Sequence, residues 1–156
     1  MSTAGYRQYE VSAYARDGFQ CRHNLNYWLF GDYLGLGAGA HGKLSLALPD
    51  RILRTAKPKQ PRDFQQRVAE SSIGIGERNF IAVADLPFEF MLNALRLNEG
   101  FSDQCFESRT GLETEVFRAA MQDSAARGLI ARSDVGWKPT DLGRRFLNDL
   151  QSRFLE

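Results

Sequence analysis

The sequence predicts an α+β fold, with short strands in the first third of the chain and helices in its second half. Three short segments have the alternating or glycine-bounded pattern of strands: residues 8–14, 33–36 and 43–48. Apolar residues then recur at helical spacing through most of the second half. We therefore divide the chain into a strand region at 1–50, a poorly patterned connector at 51–85 and a helical domain at 86–156.

The helical domain has recognisable starts and stops. We predict helices in five places, the first of them in the connector: residues 61–70, 88–97, 102–109, 113–127 and 140–154. Ser102 and Thr140 suit the N-cap position, and Gly128 suits a helix end. A tight turn at 134–136 predicts a hairpin. The order of three helices, a hairpin and a final helix is that of a winged-helix-like module.

Composition narrows the class of protein. The 156 residues are 43% apolar and 25% charged, with a formal net charge of +1, which is ordinary for a globular domain in water. No apolar run is long enough to cross a bilayer, and residues 1–10 lack the apolar core of a signal peptide. We expect a cytoplasmic protein without a transmembrane segment. Cys21 and Cys105 are the only cysteines, too few for a disulfide framework or an iron–sulfur cluster.

The most unusual local cluster is Cys21-Arg22-His23-Asn24-Leu25-Asn26-Tyr27-Trp28. Imidazole is a good axial ligand for heme iron, aromatic rings can cover a macrocycle, and arginine can pair with a propionate. On composition alone, a structural interpretation is favoured: His23 and Asn24 bond to backbone in a turn while Tyr27 and Trp28 fill the core. The spacing differs from the C-x-x-C-H motif, so no covalent heme attachment is predicted.

Glycines at Gly37, Gly39 and Gly42 match G-x-G-x-x-G literally. A dinucleotide site needs a helix directly after this motif, whereas the following residues alternate like a strand, so we reject that interpretation. The glycines still allow the backbone to pass close to a ligand or to another element. His41, within the run, is equally well explained as a ligand or proton donor and as a histidine bonded to loop backbone.

Two other classes of function gain little support. The helix at 113–127 carries three acidic residues against two arginines, which argues against insertion into a nucleic-acid groove. The basic residues between Arg51 and Arg67 can contact a polyanion, although such runs are more often solvated surface. No nucleophile lies beside a base in a recognisable pattern, so we do not expect the chain alone to be an enzyme.

Several segments together resemble one family, the oxygen-independent coproporphyrinogen III oxidase-like radical S-adenosylmethionine proteins. The resemblance covers nearly the whole chain and lies in residues 9–15, 18–24, 27–28, 31–42, 89–97, 140–143 and 147–148. It implies that the strand region is the C-terminal remnant of a radical S-adenosylmethionine barrel, and that the helices form that family's C-terminal domain. The strand edges left without neighbours would then favour pairing between copies of the chain.

Within the family, His23-Asn24-x-x-Tyr27-Trp28 resembles the H-N-x-x-Y-W signature of the heme chaperone branch. The resemblance implies heme binding by Arg22 and these four residues, with His23 on the iron, and delivery of heme to an accepting protein. It also implies that Gly37 and Gly39 line the S-adenosylmethionine site of a full-length parent. Such a parent holds a [4Fe–4S] cluster on a C-x-x-x-C-x-x-C motif, which this sequence lacks.

We therefore expect the C-terminal part of a heme chaperone-like protein that binds heme and is catalytically silent without the cluster. Two alternatives stay open. The chain is otherwise a protein-interaction module that binds no heme, or the C-terminal part of a coproporphyrinogen III oxidase that serves porphyrin biosynthesis.

Overall fold

The computed structural model describes residues 2–46, 52–71 and 76–155. It contains both helices and small antiparallel sheets. The chain divides into two compact units. The first unit combines Met1–Gly31 with Ala84–Glu156, and the second is Asp32–Val83. Among the described residues, no helix is both long and apolar enough to span a membrane.

Short strands and short helices are interspersed along the described chain. The strands are β1 (Arg7–Glu10), β2 (Ala13–Ala15), β3 (His41–Ser45), β4 (Ile52–Ala56), β5 (Glu77–Phe80), β6 (Ile130–Arg132) and β7 (Trp137–Pro139). The α-helices are α1 (Arg22–Trp28), α2 (Pro61–Glu70), α3 (Leu86–Ala94), α4 (Asp103–Thr110), α5 (Arg118–Ala126), α6 (Asp141–Arg145) and α7 (Leu147–Ser152). Short 3-10 turns lie at Ser2–Ala4, Val83–Asp85 and Thr114–Phe117.

The first predicted strand, at 8–14, is wrong as a single element, because the chain folds back into the β1–β2 hairpin. Glu10 explains the reversal: its Oε1 accepts hydrogen bonds from the backbone N–H of Ser12 at 3.0 Å and from the Ser12 hydroxyl at 2.8 Å. The hairpin also joins the helical part of its unit. The N–H of Asn98 donates to the carbonyl of Tyr9 at 3.0 Å, and Glu10 forms an isolated bridge with Leu97.

An aromatic cluster forms the centre of the first unit. Phe90, on α3, makes edge contacts with Phe30, Phe101 and Phe106 at ring-centroid distances of 5.8, 5.0 and 5.1 Å. Phe106, on α4, continues the cluster to Phe117 at 4.6 Å. All five rings are buried. Edge-to-face packing suits the quadrupoles of aromatic rings and adds to the free energy gained by burying their area.

The predicted helices, caps and hairpin of the C-terminal region are largely confirmed. The Ser102 hydroxyl caps α4 by accepting from the N–H of Cys105, and β6 pairs with β7 as predicted. Two predicted helices are interrupted. The one at 113–127 begins as the 3-10 turn Thr114–Phe117, and the last one breaks at Phe146, whose φ of −113° and ψ of 42° are not helical.

The second unit contains a three-stranded antiparallel sheet in the order β3–β4–β5. The helix α2 forms at 61–70 as predicted, whereas β4 and β5 lie in the segment that was expected to be a poorly patterned connector. The predicted strand at 33–36 is wrong: only Tyr33 pairs, in an isolated bridge with Lys43. The glycine at position 35 lies so close to the carbonyl of His41 that a side chain there would collide with it. The predicted strand end at 47–48 and the predicted boundary at residue 50 lie outside the described residues.

Asp32 links the start of the second unit to β3. Its carboxylate accepts hydrogen bonds from Lys43 Nζ at 3.0 Å, the Ser45 N–H at 2.9 Å and the Ser45 hydroxyl at 2.9 Å. Burial would raise the pKa of Asp32, but the Ser45 and Lys43 hydrogen bonds and the lysine charge outweigh it and hold the pKa below its ordinary 3.8. The Lys43 side chain is 2% exposed, so this carboxylate offsets a buried charge.

Replacing Asp32 with asparagine should lower the stability of the second unit by about 1 kcal/mol at neutral pH, since the half-exposed carboxylate is screened by solvent. A lowered folded pKa stabilises at pH values above 3.8, and this stabilisation is lost as the pH falls through the folded pKa. The difference between the two proteins should therefore shrink below pH 3.8. Amide exchange of β3 and β4, corrected for intrinsic rates, measures this difference in stability. Parallel pH profiles of the two proteins would contradict a stabilising role of the Asp32 carboxylate.

The Thr140 side chain caps α6, and its contribution to stability can be tested by substitution. Its Oγ1 accepts from the N–H of Gly143 at 3.1 Å and donates to the carbonyl of Gly128 at 2.6 Å. Thr140→Ala should lower the free energy of unfolding by about 1–2 kcal/mol in urea denaturation. Thr140→Ser keeps the hydroxyl and should retain most of the stability. Equal losses in both variants would show that the methyl group, rather than the cap, is responsible.

Candidate functional site

The residues of the H-N-x-x-Y-W motif form a helix. The expected turn at 21–28 is wrong: Arg22–Trp28 is α1, with Cys21 at its N-cap position. The N–H of Leu25 donates to the carbonyl of Cys21 at 3.0 Å, and the N–H of Leu29 donates to that of Leu25 at 2.8 Å. Cys21 provides no side-chain cap. An isolated helix of this length is marginal in water, so α1 depends on contacts with the rest of its unit.

The C-terminal end of α1 is anchored by Phe30. This residue has a φ of 55°, in the left-handed region that glycine usually occupies at helix ends. Its side chain is 1% exposed and packs edge-on against Phe90. The N–H of Gly31 donates to the carbonyl of Asn26 at 2.7 Å and closes the helix end. Burial of the ring offsets the backbone strain.

One side of α1 presents the chemistry expected of a ligand site. His23 is exposed, and its ring meets that of Tyr27, one turn later, at a centroid distance of 4.8 Å and an interplanar angle of 73°. Arg22, beside His23 in the sequence, is exposed as well. An imidazole with free access to solvent can bind a metal ion, and a guanidinium can pair with a carboxylate.

The neighbouring side of α1 contacts the rest of the unit. The Asn24 Nδ2 donates to the Tyr9 hydroxyl at 3.3 Å. The Trp28 ring lies under the guanidinium of Arg96, whose Cζ is 4.3 Å from the ring centroid. Arg96 Nη2 in turn donates to Glu10 Oε2 at 3.1 Å. These contacts hold α1 by one side.

Sequence reasoning missed Tyr9, Glu10 and Arg96 as neighbours of this helix. Arg96 and Glu10 are 86 positions apart, and no local pattern links them to the motif. The need for a partner is visible only in the structure, where Glu10 is buried and its charge must be compensated.

The glycine run lies in the second unit. Gly37 has a φ of 90° and Gly39 a φ of 70°, conformations that favour glycine at both positions. The Gly39 N–H donates to the carbonyl of Pro58 at 2.7 Å. The run leads into β3, so the helix required by a dinucleotide site is replaced by a strand. His41 begins that strand, opposite Ala56.

Cys21 and Cys105 are both free, and Cys21 is exposed. Burial raises the pKa of the Cys105 thiol, and the charge of Arg109 lowers it by less. Within the described ranges, no three histidine, cysteine or acidic side chains gather as a metal site would require.

Comparisons with known proteins identify relatives of this chain. Residues 81–146 match the model of the HemN C-terminal domain family. A protein named heme chaperone HemW from Escherichia coli is 45% identical over 99% of this chain and 39% of its own length. Another from Haemophilus influenzae is 41% identical, also over 99% of this chain and 39% of its own length. The chain thus spans about two fifths of the curated relatives that it matches.

A solved structure shows the same fold. It is described as coproporphyrinogen III oxidase (HemN) from Escherichia coli, a radical SAM enzyme. It superposes with a TM-score of 0.62 over 98% of this chain and 38% of its own, at 17% identity. The chain therefore belongs with the HemN and HemW proteins, of which it spans a part that includes the HemN C-terminal domain.

Proposed function

We propose that the chain is the heme-contacting C-terminal part of a heme chaperone, and that α1 holds the porphyrin. One observation carries the proposal: an exposed imidazole, His23, stands at the start of a helix whose adjacent side is fixed to the protein. Relatives that match 99% of the chain are named heme chaperones. Delivery of the heme to an accepting protein belongs to the same proposal.

The donor set fits heme. His23 would hold the heme iron through an imidazole nitrogen, a common protein ligand of heme. Tyr27, edge-on to His23, can cover part of the macrocycle, and Arg22 can pair with a propionate. Asn24 and Trp28 complete the proposed site by holding α1 against Tyr9 and Arg96. An aromatic ring beside the imidazole would limit the access of solvent to the iron.

Radical chemistry requires the rest of a full-length protein. The chain has two cysteines, whereas a [4Fe–4S] cluster needs a set of thiolates, so its own residues do not fit that cofactor. We propose that Gly37 and Gly39 line the S-adenosylmethionine site only in the complete protein. The finer fold expectation, remnant barrel strands before a winged-helix-like domain, remains a prediction. Three helices, a hairpin and final helices in that order support its second half.

Hemin titration tests the iron ligand. The wild-type chain should shift the Soret band, and His23→Ala should weaken binding at least about tenfold, as loss of a metal ligand or its support typically does. His41→Ala is the matched control, since the chain has two histidines and His41 lies in the other unit. Wild-type protein without any spectral shift would favour an interaction module, and unchanged affinity in His23→Ala would remove the ligand role.

A second titration tests Arg22. Arg22→Gln should weaken hemin binding by about threefold to tenfold, because a partly exposed charged pair contributes about 1 kcal/mol. Hemin dimethyl ester lacks free propionates, so the same substitution should leave its affinity unchanged. Equal losses for both ligands would show that Arg22 acts on the helix rather than on a carboxylate.

A further inference from the structure

The motif on α1 consists of two pairs, each spaced by four residues. His23 and Tyr27 form one pair, with their rings in contact. Asn24 and Trp28 form the other, on the adjacent side of the helix, and both contact residues outside α1. Side chains four apart lie one above the other on a helix. The two pairs therefore have different surroundings, although each residue of one pair is next to a residue of the other in the sequence.

The contact at Trp28 is built on a buried carboxylate. The Glu10 side chain is 2% exposed, and its Oε1 is occupied by Ser12. Its Oε2 accepts from Arg96 at 3.1 Å, and the Cζ of the same guanidinium lies over the Trp28 ring. Glu10 is further fixed by the bridge between β1 and Leu97. Arg96 is thus oriented by a contact that does not involve Trp28.

Arg96 lies outside α1, although it contacts Trp28. It follows α3 and belongs to the segment that the Phe90 cluster packs. It lies outside the motif, and none of its described hydrogen bonds reaches His23 or Tyr27. A guanidinium over an indole face is favourable, more so where water is partly excluded, and the Arg96 side chain is 27% exposed.

We infer that Arg96, oriented by Glu10, is a positioning residue for the heme-contacting helix. It fixes Trp28 so that the adjacent His23–Tyr27 pair faces the ligand. Asn24, through Tyr9, acts in the same way at the start of the helix. Within the motif, Asn24 and Trp28 then contribute through the orientation of α1, and His23 and Tyr27 through contact with the porphyrin. The inference rests on the proposed function.

The chain offers a matched pair of arginines for the test. Arg132 lies over the Trp137 ring, with Cζ 4.0 Å from the centroid, and donates to Asp103 at 3.1 Å. It therefore makes the same two kinds of contact as Arg96, but in the β6–β7 hairpin. Arg96→Met and Arg132→Met each remove one charge and one stacked guanidinium and keep a long apolar side chain.

Two measurements on the wild-type chain and both variants decide the inference: amide exchange of α1, compared with α4, and hemin affinity from Soret titration. Arg96→Met should speed exchange in α1 by about threefold to thirtyfold without matching changes in α4, and should weaken hemin binding by a similar factor. Arg132→Met should leave both quantities within about twofold of wild type. Arg96→Lys retains the charge and should lie between wild type and Arg96→Met in both, and it replaces Arg96→Met if that variant does not fold.

Unchanged exchange of α1 in the Arg96 variants would overturn the inference, as would faster exchange in α1 with unchanged hemin affinity. If wild-type protein takes up no hemin, the proposed function fails, and the exchange data alone decide the positioning role. Faster exchange confined to α1 then supports it, and uniform or unchanged exchange contradicts it.

Discussion

The packing of Phe90 in a cluster with four other phenylalanine rings is the constraint on which the first unit depends. Phe30 and Phe90 come from distant parts of the chain, yet their rings meet in the same buried cluster. Phe106 carries the cluster onward to Phe117 and so to the start of α5. Because the cluster includes the residue that ends α1, the short helix is secured by the same core that packs α3 and α4. Its stability comes from the unit and not from its own length.

This arrangement separates support from chemistry. The side of α1 that carries Asn24 and Trp28 contacts Tyr9 and Arg96, while His23 stays exposed. A binding residue gains affinity when its orientation is fixed before the ligand arrives, since less conformational entropy is lost on binding. A helix held by one side and open on the next satisfies that requirement with few residues.

Local signals were sufficient for much of the fold. Ser102 and Thr140 cap helices because their side chains and spacing encode the cap directly, and the 134–136 turn encodes its hairpin in the same way. The nature of residues 21–28 was not recoverable locally, because asparagines and aromatic residues have weak helical propensity and the decisive contacts are tertiary. The candidate site was found through its motif, whereas its support by Arg96 and Glu10 depends on a contact 86 positions apart.

The first unit is discontinuous, since the chain leaves it at Gly31 and re-enters it at Ala84. Glu10 and Trp28 are synthesised early, but their shared partner Arg96 is added only after the whole intervening unit. Bringing these segments together carries the entropic cost of closing a long loop, which rises only slowly with its length. During translation, α1 therefore lacks its contact with Arg96 until that residue has left the ribosome. Assembly of the α1 surface is thereby coupled to synthesis of the segment that contains Arg96.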